Sequence, residues 1–335
     1  MENKGENKRF SRRQKAMKRI LVTGATGQIG SELTPALRAR YGSNNVVAAG
    51  HRARPDRELH EAGPLVFLDV RDQAALDQVV RQYGIDTIYH LAALLSAKAE
   101  TDPRHAWEIN MQGLVNVLEV ARAQRCAVFF PSSIAAFGPA APLRNTPQLT
   151  IQKPQTLYGV TKVAGELLCD YYHHHFGVDA RGLRYPGLIS HVAKPGGGTT
   201  DYAVEIFYAA TEGRPFTCPL KPDARLAMMY MEDALRAAIE LMEADPAKLE
   251  DRNAYNVSAM SFTPAEIAAA ITKIVPGFTM RYQVDPLRQA IAEGWPESLD
   301  DSAARQQWGW QPIYVLHATV EEMLARLRAK RGGQP

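Results

Sequence analysis

The chain has 335 residues, 46% of them hydrophobic and 22% charged, with a formal net charge of only +3. This length is typical of two domains, or of one domain with a large insertion, and is enough to bury a sizeable core. No stretch is long and apolar enough to predict a transmembrane helix.

The cysteines (Cys126, Cys169 and Cys218) lie far apart, which predicts neither a disulfide framework nor a zinc site. The consecutive histidines 173–175 point in different directions on a helix, so we expect no metal site. We also expect no nucleic-acid or membrane partner, and a cytoplasmic location.

Most of the basic excess lies in the first 19 residues. Eight Lys or Arg residues fall between Lys4 and Arg19, accompanied by Glu2 and Glu6. The segment lacks the apolar stretch of a secretory signal, and its acids argue against a mitochondrial presequence. We therefore expect residues 1–17 to form a disordered basic tail.

A glycine pattern follows directly after this tail. Residues 20–22 (Ile-Leu-Val) are typical of a buried strand, and Gly24, Gly27 and Gly30 then predict a tight turn leading into a helix. Such a turn lets backbone N–H groups approach a pyrophosphate at the positive end of the helix. The spacing differs from the commoner Gly-x-Gly-x-x-Gly, and glycines alone are a weak signal. Their position between a strand and a helix favours nucleotide binding over an ordinary turn.

Strands and helices alternate from here to residue 184, in the order expected of a parallel sheet. We predict strands at 20–22, 45–49, 65–68, 87–91, 127–131 and 180–184, and helices at about 29–40, 73–82, 103–122 and 158–176. The fold class predicted is α/β, with a Rossmann-type doubly wound parallel sheet that binds ligands beyond the carboxyl ends of its strands.

The second half is patterned as a smaller, mixed α/β portion. It contains predicted helices at 202–211 and 233–242, strands at 228–231 and 255–257, and glycines at 196–198. Thr263, Pro264 and Glu266 predict a capping box, so a helix must begin there. We expect a dinucleotide-binding domain at 18–185 and an interleaved substrate-binding cap at 186–330, with elements at 226–258 returning to the first domain.

The chemistry is concentrated in Tyr158 and Lys162, four residues apart on one face of a predicted helix. An ammonium beside a phenol lowers the pKa of the phenol towards that of a general base. The pair alone is also compatible with an amphipathic helix that carries a surface lysine. Ser132 and Ser133 at the end of the fifth strand, and Asn110 in the preceding long helix, favour the catalytic interpretation because they complete a proton-transfer set.

Segments along the chain resemble a known family, the extended short-chain dehydrogenases/reductases, and within it the L-threonine 3-dehydrogenases of short-chain type. The resemblance covers roughly residues 19–327. It is carried by residues 90–96, 131–138, 184–187, 195–203, 228–230, 255–264, 285–296 and 308–310. The glycine–threonine loop and the Trp-Pro segment are its most specific parts. Ser133 departs from the pattern, where the family usually has threonine, but a hydroxyl is kept.

The resemblance implies oxidation of L-threonine at C3 to 2-amino-3-oxobutyrate, with hydride transfer to a nicotinamide. It implies that Tyr158 is the general base, that Lys162 lowers its pKa and binds the nicotinamide ribose, and that Ser133 orients the substrate. The cofactor residues it implies are Gly24, Thr26, Gly27, Gln28, Ile29, Gly30, Asp69, Val70, Leu91, Ala92, Ala93, Asn110, Tyr158, Lys162 and Tyr185. Around the substrate it places Ser96, Ser133, Tyr158, Thr199, Thr200 and Trp295. It also implies a homodimer, joined through the 103–122 helix and the Tyr158 helix.

Two other functions stay open. A nucleotide-sugar epimerase or dehydratase shares the scaffold and the Ser-Tyr-Lys set, and a non-catalytic redox sensor needs only the glycine loop.

The choice of nicotinamide is also open. NAD-specific folds carry an acid after the second strand, about 20 residues beyond the glycine loop, to bind the ribose 2′-hydroxyl. This chain has no acid from Gly42 to Pro55, and Arg52 offers a partner for the 2′-phosphate of NADP. Arg52 is equally compatible with a solvent-facing loop. We keep NAD as the expected cofactor, on the resemblance, with NADP as the alternative and Arg52 as a candidate cofactor residue.

Overall fold

The computed structural model describes residues 17–51, 57–193, 196 and 198–332. The strands are β1 (Ile20–Thr23), β2 (Val46–Gly50), β3 (Leu65–Phe67), β4 (Thr87–His90), β5 (Ala127–Ser133), β6 (Ala180–Tyr185), β7 (Gly187–Ile189), β8 (Phe216–Cys218), β9 (Leu226–Tyr230), β10 (Tyr255–Asn256), β11 (Met260–Phe262) and β12 (Met280–Tyr282). The helices are α1 (Gly30–Tyr41), α2 (Arg57–Glu61), α3 (Gln73–Tyr83), α4 (Ser96–Thr101), α5 (Pro103–Trp107), α6 (Gly113–Gln124), α7 (Leu157–Phe176), α8 (Tyr202–Thr211), α9 (Met231–Glu243), α10 (Pro264–Ile274), α11 (Pro286–Glu293), α12 (Ser302–Trp308) and α13 (Leu316–Gly332). Residues 1–16 of the predicted tail (1–17) and Arg52 lie outside the described residues.

The central sheet has the order β10-β6-β5-β4-β1-β2-β3, and its pairings are all parallel. The chain runs outwards from β1 in both directions, through β2 and β3 on one side and through β4, β5 and β6 on the other. The strand order therefore reverses between β1 and β4, and ligands of such sheets bind in the crevice beyond that point. The predicted α/β fold with a doubly wound parallel sheet is confirmed.

Helices cover both faces of this sheet because alternate strand residues point to opposite sides. Ile20 and Val22 of β1 pack with α1 and α9 on one face. Leu21, between them, packs with α3, α6 and α7 on the other. Strands buried on both faces give the continuous apolar runs from which they were predicted.

A smaller mixed portion lies beside the sheet. The strands β11, β9 and β7 form one small sheet, and β12 pairs with β8. These pack with α8, α10 and α13 around a second apolar core. The capping box of α10 is confirmed, since the N–H of Glu266 donates to the Thr263 hydroxyl (3.2 Å) and the N–H of Thr263 donates to the Glu266 carboxylate (2.9 Å). The domain boundary at residue 185 stays a prediction.

Two predicted elements differ in detail. The long helix at 103–122 comprises α5, a wider π-helical turn at 108–112, and α6. Met231, predicted as the end of a strand, instead begins α9. Across the described chain, helices that combine the length and apolarity needed to span a bilayer are absent.

Candidate active site

The glycine turn lies at the crevice between β1 and β4. Gly24 has φ +69°, and a Cβ there would lie 2.7 Å from the backbone nitrogen of Ala92, just beyond β4. A Cβ on Gly30 would lie 2.3 Å from the Gly24 carbonyl oxygen, which accepts a hydrogen bond from the N–H of Gly27 at 2.9 Å. The turn therefore packs backbone against backbone, and side chains on it would fill the cradle. This geometry fits a dinucleotide pyrophosphate at the N-terminus of α1.

Helix α7 places the predicted catalytic pair against the end of β5. The Thr156 hydroxyl caps the helix by accepting from the N–H of Gly159 (3.1 Å). A Cβ on Gly159 would lie 2.3 Å from the Ala135 carbonyl oxygen, so this glycine lets α7 approach the segment after β5. Tyr158 and Lys162, on the adjoining turns of α7, consequently face the strand end.

Three groups meet at this strand end. The Ser133 hydroxyl hydrogen-bonds the Tyr158 phenol. The Lys162 ammonium donates to the Pro131 carbonyl oxygen (2.5 Å) and lies 5.3 Å from the centre of the Tyr158 ring. The structure thus brings together all three predicted catalytic residues.

The pKa of the Tyr158 phenol differs from the expectation. Burial raises it to about 12, and the hydrogen bond from Ser133 only partly offsets this. Burial also lowers the pKa of Lys162 to about 8, against the opposing charge of Glu166. The predicted lowering of the pKa of Tyr158 is therefore wrong for the protein without bound ligands. Desolvation raises this pKa by more than the neighbouring groups lower it.

Asn110 lies in the π-helical turn and connects two parts of the site. Its side-chain oxygen accepts from the N–H of Leu94 (2.8 Å), and its amide nitrogen donates to the Leu94 carbonyl (3.1 Å) and to Thr161 Oγ1 (3.2 Å). Asn110 therefore fastens the segment after β4 to α7. It also borders a cavity of about 10 Å³ beside His90 and Lys162, about the size of one water molecule.

One cavity of about 200 Å³ joins the glycine turn, the Tyr-Lys-Ser set and the predicted substrate residues. Its lining includes Gly24, Gly27, Gln28, Ile29, Gly30, Leu91, Ala93, Ser96, Ser133, Tyr158, Lys162, Tyr185, Thr199, Thr200 and Trp295. Gly187 makes the approach of Thr200 feasible, since a Cβ there would lie 2.7 Å from the Thr200 methyl carbon.

Other predicted cofactor residues stand apart from the described lining of this cavity: Thr26, Asp69, Val70, Ala92 and Asn110. Ala92 and Asn110 border the small cavity instead. The Asp69 carboxylate is held by the Arg71 guanidinium (2.7 Å), which lowers the pKa of Asp69 to about 2. Within the described ranges, groups of three or more His, Cys, Asp or Glu side chains arranged to hold a metal ion are absent.

Sequence reasoning missed a buried ion pair behind the catalytic set. Glu166 and Arg184 are 1% and 5% exposed, and their side chains pair at 2.8 Å and 3.0 Å. The hydroxyl of Ser132, adjacent to Ser133, donates a hydrogen bond to the Glu166 carboxylate. The repeat of positions 158, 162 and 166 on one helix face was the signal that could have identified Glu166.

Comparisons with known proteins assign the chain to a family. The profile of the NAD dependent epimerase/dehydratase family matches residues 20–258. An uncharacterized epimerase/dehydratase of Staphylococcus saprophyticus is 51% identical over 94% of this chain and 98% of its own. The L-threonine dehydrogenase structure from Clostridium difficile is 52% identical with a TM-score of 0.92, covering 94% of this chain and 98% of its own. The GalE-like L-threonine dehydrogenase of Cupriavidus necator, in its holo form, is 54% identical with a TM-score of 0.89, covering 92% and 99%. The resemblance seen in the sequence is confirmed, and the chain belongs to the NAD dependent epimerase/dehydratase family.

Proposed function

We propose that this member of the epimerase/dehydratase family oxidises L-threonine at C3 to 2-amino-3-oxobutyrate, with NAD as the hydride acceptor. The observation that carries the proposal is the single cavity that joins the glycine turn, the Tyr158–Lys162–Ser133 set and the four residues expected around the substrate. Solved structures of L-threonine dehydrogenases, about half identical to this chain, support the choice of substrate.

Tyr158 is the proposed general base. Tyr158, as the phenolate, would take the hydroxyl proton of the substrate, and a bound nicotinamide would supply the acceptor for the hydride from C3. Two hydrogens would thus be removed and a carbonyl formed. Ser133, which hydrogen-bonds the Tyr158 phenol, orients the substrate hydroxyl and stabilises the developing carbonyl. Because burial raises the pKa of Tyr158, the positive charge of Lys162 is needed to make the phenolate accessible at working pH.

The amino-acid end of the substrate is assigned to Ser96, Thr199, Thr200 and Trp295. Ser96 and Thr199 are buried, at 7% and 3% exposure, so their hydroxyls are shielded from bulk water. Trp295 lines the cavity and packs against a small apolar cluster that includes Ile134 and Phe137. Hydroxyls in a shielded pocket discriminate strongly between substrates, because an unmatched ligand leaves them unpaired.

NAD is the proposed cofactor, although the sequence after the second strand, which lacks an acid, does not favour NAD over NADP. The described residues at this point are Gly50, which ends β2, and His51, whose ring nitrogen lies 3.4 Å from the Asp69 carboxylate. Asp69 lies just after β3, and its carboxylate is already paired with Arg71. We therefore propose use of NAD with weak discrimination against NADP.

We also propose a homodimer. Along α7, Val160, Leu167 and Tyr171 are exposed apolar side chains at spacings of seven and four residues, which places them on one face. Trp107, at the end of α5, is exposed as well. An exposed apolar stripe of this kind is typical of a helix that packs against a partner, and it supports an interface between copies of these helices.

The experiment that tests the function measures NADH formation with L-threonine, L-serine and a nucleotide-sugar as separate substrates. We expect NADH only with the amino acids, and most rapidly with L-threonine. An epimerase returns the hydride to its substrate, so conversion of the nucleotide-sugar without net NADH would support that alternative. NAD binding with no turnover of any substrate would support the redox sensor.

A further inference from the structure

The end of β5 and one face of α7 meet through three successive contacts. Ser133 hydrogen-bonds Tyr158, the Pro131 carbonyl accepts from Lys162 at 2.5 Å, and Ser132 donates to Glu166. Positions 158, 162 and 166 are each one helical turn apart and share a face. Three consecutive strand residues thus contact three consecutive turns of the helix, and two of these contacts contain the proposed catalytic groups.

The third contact is anchored more widely than the other two. The Glu166 carboxylate accepts from the Arg184 guanidinium at 2.8 Å and 3.0 Å and from the Gln152 amide at 2.8 Å. Arg184 lies directly across from Ser132 in the pairing of β5 with β6, and it also donates to the Gln148 carbonyl (2.8 Å). Glu166 therefore fixes α7 against both strands, one turn from Lys162.

The surroundings of Lys162 give this carboxylate an electrostatic role. The titratable groups near Lys162 are Tyr158, Glu166 and Cys169 on its own helix and His90 at the end of β4. Burial keeps the Tyr158 phenol and the Cys169 thiol protonated by raising the pKa of each. Burial lowers the pKa of His90 to about 3, so its ring is neutral. Among the described residues, Glu166, itself paired with Arg184, is thus the anion that acts on the buried ammonium.

We propose that Glu166 is a positioning residue, which holds Lys162 in its charged form and in register with Tyr158 and Ser133. The proposal rests on the proposed function, in which the Lys162 charge stabilises the Tyr158 phenolate. The carboxylate itself acts through Ser132 and Lys162, and its contacts are with side chains behind the cavity rather than with substrate.

Glu166→Gln keeps the shape and the acceptor for Ser132 but removes the charge. We expect the alkaline limb of the kcat/KM profile for L-threonine oxidation to move down by about one pH unit, the smaller end of the effect of a nearby opposite charge. At a pH above the Lys162 pKa of both the wild type and the variant, the charged fraction of Lys162 is about tenfold smaller in the variant. We therefore expect kcat to fall about tenfold there. KM should change little.

A second readout does not need catalysis. The rate at which acetic anhydride labels Lys162, followed by mass spectrometry across pH, gives the midpoint of its titration directly. We expect the midpoint near pH 8 in the wild type and about one unit lower in Glu166→Gln. Asp179→Asn is the matched control, since Asp179 pairs with buried Arg181 at the opposite end of β6 (2.7 Å). Asp179→Asn should lower the stability of the protein but leave unchanged both the labelling midpoint of Lys162 and the alkaline limb of the kcat/KM profile.

Glu166→Gln leaves Arg184 buried without its charged partner, so a double variant takes its place if the single variant fails to fold. Glu166→Gln combined with Arg184→Met removes both charges. It should also lower the labelling midpoint, but by less than Glu166→Gln alone, because loss of the Arg184 cation partly offsets loss of the Glu166 anion. If a folded variant keeps the wild-type midpoint and alkaline limb, the inference is wrong. If the wild type forms no NADH from L-threonine, the proposed function fails, yet the labelling midpoint still decides the role of Glu166.

Discussion

Gly24 and Gly84 form a matched pair for testing the glycine turn. Both have left-handed backbones, with φ +69° and +61°. A Cβ on Gly84, at the end of α3, would meet nothing within 4 Å, whereas a Cβ on Gly24 would lie within 2.9 Å of three backbone atoms of Leu91 and Ala92. The two alanine variants therefore share the backbone cost and differ only in crowding at the cofactor crevice.

The left-handed conformation costs about 1–2 kcal/mol for alanine, so Gly84→Ala should lower the free energy of unfolding by roughly that amount. Gly24→Ala adds overpacking of about 1–3 kcal/mol, because backbone atoms cannot move aside as a flexible side chain does. We expect a total loss of about 2–5 kcal/mol. The displaced N–H groups should also weaken NAD binding about tenfold or more, on the order of 1.4 kcal/mol.

Urea unfolding measures the stability of each variant, and titration of NAD by calorimetry measures the affinity. Gly84→Ala should bind NAD as the wild type does. If Gly24→Ala loses no more stability than Gly84→Ala and binds NAD with unchanged affinity, the close approach of the turn to β4 is not what forms the cofactor site.

Four further outcomes are expected. Tyr158→Phe should lower kcat by roughly 10² or more with NAD affinity nearly unchanged, as steady-state and binding measurements will show; near wild-type turnover would remove Tyr158 from the mechanism. The ratio of kcat/KM for NAD over NADP should stay below about a thousandfold, on the order of 4 kcal/mol, and a larger ratio would show that the missing acid is replaced elsewhere. Glu32, half-buried beside Ser190 (2.5 Å) and near Glu232, has a pKa raised from 4.5 to about 7 by desolvation. The folded protein binds more protons than the unfolded chain between these two pKa values, so stability falls as pH rises through this window, by up to about 3 kcal/mol. Glu32→Gln should abolish that fall in urea unfolding at a series of pH values, and an unchanged pH dependence would contradict the assignment. Light scattering should show a homodimer at micromolar concentration, and a stable monomer would contradict the interface on α7.

The sheet and the location of the site were predictable because their signals are local and repeated. Buried parallel strands appear as short apolar runs, and the carboxyl ends of such strands meet at one edge of the sheet. The glycine turn after β1 and the serines at the end of β5 were therefore expected to lie at the same edge. The structure places both on one cavity.

Properties that depend on burial were not predictable in this way. The spacing of Tyr158 and Lys162 predicted a lowered pKa for the phenol, but the spacing does not tell how far both groups are desolvated. The strand periodicity did not predict which of the two adjacent serines, Ser132 or Ser133, contacts Tyr158. In the structure Ser132 donates to Glu166, and Ser133 hydrogen-bonds Tyr158. The π-helical turn that holds Asn110 likewise has no clear sequence signal.

The measurement that tests the central claim most directly is the absorbance of NADH formed by the purified protein from NAD and L-threonine, with Tyr158→Phe as the paired variant. We predict steady NADH formation by the wild type and a rate reduced by a factor of about 10² or more in the variant. Both proteins should bind NAD with the same affinity. No NADH from L-threonine with the wild type, or equal rates for the two proteins, would contradict it.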